Sequence, residues 1–162
     1  MPNAFDPAAY GPELARILTA VPMSPLGPGK PREELHQPIK LLKLPAVCMT
    51  GLWLRCDFLT ESHEISQELH SHEGSFWHAV MHRREPDAFN SKYWWRLVGP
   101  HPVLDQLVEQ APALGYKYTS PHNFVDFCER VRDRSNDDEN LAVRVQQLEW
   151  ELLFEWCWNL GK

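Results

Sequence analysis

An all-α chain, folded as an irregular bundle of about six to seven helices behind a Pro/Gly-rich N-terminal arm, is predicted by three observations. The segment from Ala46 to Leu69 contains no Pro and repeats apolar residues at helical spacing. Nowhere does an alternating, strand-length segment lie between hairpin turns, and neither an internal repeat nor a low-complexity tract occurs. A length of 162 residues with 43% hydrophobic residues suits one domain with one core, arm and short helices over 1–45 and a helical core over 46–162.

Each element has a local reason. Glu13 to Ala20 carries Leu14, Ile17 and Leu18 on one side and reads as a short helix. Pro22, Pro25, Pro28 and Pro31 with Gly27 and Gly29 then enforce an extended stretch, because each proline fixes its own φ and turns the preceding residue away from helix. Short helical pieces follow over 32–43, broken by Pro38, and Pro45 suits the first turn of the next helix. That helix is predicted as one long element over 46–69, with Asp57, Glu61, Glu64 and Glu68 as a solvent stripe and His63 inward. A loop over 70–74 leads to a helix over 76–85 capped by Ser75 and ended by Pro86. Asn90 caps a short aromatic helix over 91–98, closed by Gly99. Further helices are expected over 102–111, over 121–132 with Ser120 as cap, and over 140–159 after a solvated charged loop.

Composition removes several functions. Sixteen Lys and Arg against 22 Asp and Glu leave a net charge of −6, which opposes binding a nucleic acid. No stretch is apolar enough to span a membrane, and the first ten residues resemble no secretion signal, so a cytoplasmic protein is expected. Cys48, Cys56, Cys128 and Cys157 form no C-x-x-C pair, which argues against a zinc ribbon, a thioredoxin-type motif or covalent haem. Neither a Walker loop nor a dinucleotide fingerprint occurs, so no nucleotide cofactor is implied.

Eight histidines and seven tryptophans concentrate attention on residues 53–101. His78 and His82 stand at i and i+4 on a predicted helix, a spacing at which two imidazoles grip one ion, and Glu85 lies one turn further. His63, inward on the preceding antiparallel helix, is the natural third ligand. Three neutral nitrogens would hold a divalent metal, with zinc the first choice, and leave a position for water. Cys56 or Gln67 would supply or orient a fourth group, and Glu85 would carry protons or orient a ligand. Ala79 stands where the zincin pattern needs Glu, so no metalloprotease is implied. A bland reading competes, in which these histidines are half-buried residues bonded to backbone or to Glu85.

Arg83 and Arg84, with Trp77 and Trp94 nearby, could stack on and neutralise a flat anionic ligand, in a cavity closed by the Pro-rich arm. The plainer alternative pairs these arginines with Glu85 or Asp87 to fix the turn. Ser62 and Ser66 flank His63, but mid-helix serines more often serve packing than nucleophilic catalysis. The leading expectation is a metal-binding helical protein, of which a metal-dependent enzyme on a small molecule would be one form. The alternative is a non-catalytic interaction module whose aromatic C-terminal end, with Trp150, Trp156 and Trp158, seals a homodimer.

Overall fold

The computed structural model describes residues 4–162; the first three residues of the expected arm lie outside it. Among the described residues every regular element is helical, and there are nine α-helices rather than six or seven. They are α1 (Pro12–Ala20), α2 (His36–Lys40), α3 (Ala46–Arg55), α4 (Leu59–Ser66), α5 (His72–Arg84), α6 (Ala88–Val98), α7 (Pro102–Gln110), α8 (Pro121–Val131) and α9 (Asp137–Asn159), with short 3-10 turns between some of them. One apolar cluster from Leu14 to Cys157 joins them. Among the described residues, no helix is long and apolar enough to cross a membrane.

The largest departure from expectation is the long helix over 46–69, which is two helices. Asp57 adopts φ 68°, and the Phe58 amide donates to the Trp53 carbonyl at 2.9 Å while the Asp57 amide donates to Leu54 at 3.1 Å. This is a Schellman closure with Asp in the left-handed position that Gly usually takes. Asp tolerates that conformation better than most residues, and here its carboxylate accepts from the buried Arg84 guanidinium. The chain reverses, and α4 packs on α3 through reciprocal bonds: Thr50 Oγ1 donates to the Ser62 carbonyl at 2.8 Å, and Ser62 Oγ to the Thr50 carbonyl at 2.9 Å. Helical periodicity survives such a break, which is why sequence spacing does not reveal it. Asp57 accordingly leaves the expected solvent stripe.

Helix starts differ by up to four residues from the predicted ones. Ser71, not Ser75, caps α5 by accepting from the Gly74 amide at 3.0 Å. Gly74 serves close packing rather than a loop, since a Cβ there would lie 2.5 Å from that of Leu69. Asp87 rather than Asn90 caps α6, and Asn136 caps α9, which begins at Asp137. His101 caps α7, accepting at Nδ1 from the Val103 amide and donating from Nε2 to Glu73, which fixes its tautomer.

Gly51 on α3 faces Trp77 on α5, and a Cβ there would come 2.5 Å from Trp77 Cζ2. Both residues are buried, so the indole has nowhere to retreat. Gly51→Ala is expected to destabilise by about 1–3 kcal/mol despite its better helix propensity. Urea denaturation would measure this; an unchanged midpoint would show that α3 and α5 have slack.

The Pro-rich arm is held by its carbonyls. Arg55 Nη1 donates to Pro22 at 2.6 Å, Gln146 Nε2 to Ser24 and Pro25 at 3.1 and 3.0 Å, and Arg84 Nε to Gly27 at 3.1 Å. Leu26 anchors the arm in the core. Ahead of this stretch, Phe5 and Tyr10 pack edge-on against Trp150, Phe154 and Trp158.

Candidate metal centre

Packing of α4 against α5 brings the three predicted histidines together. His63 stands edge-on to both partners, with ring centroids 4.8 Å from His78 and 5.5 Å from His82. The i, i+4 pair is stacked, centroids 4.8 Å apart at 22°. The ligand atoms of the three lie within 4.8 Å of one another. Nitrogens sharing one tetrahedral zinc ion at about 2.0–2.1 Å stand about 3.3 Å apart, so ring rotations of about an ångström would close the set on one ion.

Each ring is oriented by a different device. His82 Nδ1 donates to Glu85 Oε2 at 2.7 Å, a bond that leaves the Nε2 lone pair free. His78 is held by aromatic surfaces: Trp94 on α6 lies over it at 3.8 Å and 16°. It is only 2% exposed, and neither of its ring nitrogens has a hydrogen-bond partner. Burial, with His82 and His63 close by, pushes its pKa down to about 3, so at neutral pH it is an uncharged donor. A buried imidazole with two unpaired nitrogens is costly, because its water bonds are lost and nothing replaces them.

The other predicted residues divide. Cys56 closes α3 just before the Asp57 reversal, outside the cluster, so the shared helix face that linked it to His63 is absent. Burial raises its thiol pKa to about 12, far from the thiolate a metal needs. Gln67 ends α4 one turn from His63 and is exposed. Glu85 also forms, with His82 and Asp87, a second group of potential ligand atoms within 4.8 Å.

Arg83 and Arg84 are spent internally. Arg83 is fully buried and forks onto Glu149, donating to Oε1 at 2.6 Å and Oε2 at 3.0 Å; Arg84 pairs with Asp57 and donates to the Leu54 carbonyl at 2.6 Å. The network alternative thus describes them, with Glu149 and Asp57 in place of Glu85 and Asp87, long-range partners that local spacing does not reveal. Trp77 is core, against Gly51, and of the predicted aromatic pair only Trp94 reaches the histidines. Ser62 and Ser66 are buried, bonded to Thr50 and to the His63 carbonyl. The C-terminal tryptophans pack within the chain: Trp150 Nε1 donates to Gly51 at 2.8 Å, Trp156 Nε1 to Glu73 at 2.9 Å, and Trp158 meets Tyr10.

Beside the cluster lies a cleft of about 350 Å³ whose lining includes Gln67, Ser75, Trp94 and Leu97. None of the arm's residues lines it, contrary to the expectation that the arm closes such a cavity. Sequence reasoning did not anticipate the pairing of Trp94 with His78, sixteen residues apart on separate helices; the aromatic density of 93–95 was its one signal. No family model, curated protein or solved structure matches the chain.

Proposed function

We propose that this protein binds one divalent transition-metal ion, zinc in the first instance, through His63, His78 and His82, and acts as a metal-dependent enzyme on a small molecule. The observation that carries the reading is His78, buried, neutral and without a partner at either nitrogen, at the meeting point of two further imidazoles. The large majority of buried side-chain polar atoms have a hydrogen-bond partner, so two open nitrogens on one buried ring favour a metal ion as the missing one.

Glu85 supports the reading from outside. By accepting the Nδ1 proton of His82 it fixes the tautomer with Nε2 available and raises that nitrogen's basicity, the usual arrangement of a carboxylate behind a ligating histidine. Among the described residues the cluster contains no fourth side-chain donor, and a zinc ion held by three imidazoles keeps a position for water or a substrate and supplies Lewis acidity there. Glu85, exposed at the edge of the cluster, is suited to pass protons to solvent.

Elemental analysis tests the proposal on untagged protein purified without chelator. About one equivalent of a single metal is expected, falling below about a tenth in His78→Ala and His82→Ala variants that keep the helical circular dichroism of the parent. A folded parent that takes up neither zinc, nickel nor iron would overturn it.

A further inference from the structure

Glu13, Arg16, Ile17 and Ala20 recur at i, i+3, i+4 and i+7, so they share one face of α1. With Leu35 and Leu42, from either side of α2, they line a cleft of about 470 Å³, a volume in the range of small-molecule pockets. Its floor is aliphatic, since Ile17 and Leu35 are buried and Leu42 is half-buried. Its rim carries two opposite charges, the exposed side chains of Glu13 and Arg16. Glu followed by Arg three residues later is a spacing at which ion pairs form along a helix. These two form none, either with each other or with any other of the described residues. A guanidinium and a carboxylate one turn apart, neither spent on the other, thus stand over an apolar floor.

We propose that this cleft binds a zwitterionic amino acid with a large apolar side chain: its carboxylate on Arg16, its ammonium on Glu13 and its side chain on Ile17, Leu35 and Leu42. The guanidinium fork suits a carboxylate, which it holds by two parallel N–H···O bonds. A ligand with only one of the two charges forgoes one ion pair, and a polar side chain loses its water against the aliphatic floor without a bond in return. The cleft shares no residue with the histidine cluster, so the proposal goes beyond the metal reading and does not depend on it.

The purified protein is titrated with L-leucine, N-acetyl-L-leucine, L-leucinamide and L-asparagine, followed by calorimetry and by the amide NMR shifts of Ile17, Ala20 and Leu35. Saturable binding of leucine that moves those amides is expected, about three- to fivefold tighter than that of either leucine derivative, the range an exposed ion pair supplies. Asparagine, close to leucine in size, should not saturate the site. Two substitutions at exposed positions then assign the charges. Arg16→Gln should erase the preference for leucine over leucinamide and keep that over N-acetyl-leucine, and Glu13→Gln should do the reverse, both with the helical circular dichroism of the parent. No saturable shift at these amides, equal binding of leucine and its derivatives, or preferences that neither variant changes would overturn the proposal, whatever the metal content.

Discussion

His78→Leu is expected to stabilise the metal-free protein by about 1 kcal/mol while removing all stabilisation by zinc. Leucine fills the slot beneath Trp94 without two buried nitrogens that nothing satisfies, each worth about 1–3 kcal/mol when left unpaired. The lost stack against Trp94 offsets part of this, by about 0.5–1.5 kcal/mol. In the parent, zinc at about a thousand times its dissociation constant should stabilise by about 4 kcal/mol, because it binds only the folded arrangement of three rings. Thermal unfolding with and without zinc measures both effects together. A histidine retained for structure would behave in the opposite way: the leucine variant would be less stable, and zinc would act alike on both proteins.

Arg83→Met is expected to cost about 3–5 kcal/mol. Arg83 also lies over the Phe124 ring at 4.7 Å and donates to Gln146 Oε1 at 3.1 Å, so methionine removes a charge, a fork and a stacked plane at once. Glu149, 1% exposed on α9, is then left as a buried carboxylate without its cation. The double variant Arg83→Met with Glu149→Leu should recover most of the loss, since the cost lies in the orphaned charge rather than in the missing pair. Urea denaturation of the singles and the double closes the cycle. A loss below about 1 kcal/mol for Arg83→Met would show that water reaches Glu149.

The helical class was legible because apolar spacing and proline positions are local signals. The three histidines were legible for a related reason: an i, i+4 pair on one helix and an inward His63 on its antiparallel neighbour need only a short connection to meet. The break at Asp57 was hidden, because a Schellman turn built on aspartate looks like one more helical residue, and its support comes from Arg84, 27 residues away. The partners of Arg83 and the covering of His78 by Trp94 were hidden likewise, since both depend on which helices pack together. Cys56 falls outside the histidine cluster as a direct consequence of the break: a helix face carried across a reversal no longer exists.

The arm between α1 and α2 is gripped at its carbonyls by Arg55, Arg84 and Gln146. Carbonyls are common to every residue, so the arm's own side chains matter at few places: Leu26 in the core, Ser24, whose hydroxyl donates to the Arg55 carbonyl at 3.0 Å, and Gly29, where a Cβ would lie 2.6 Å from the Asp57 carboxyl. At its remaining positions the composition is free to drift so long as the extended backbone is kept, whereas the three clamping residues are not. The same grip predicts that a protease given the native protein will spare this stretch, even though its composition resembles that of a linker.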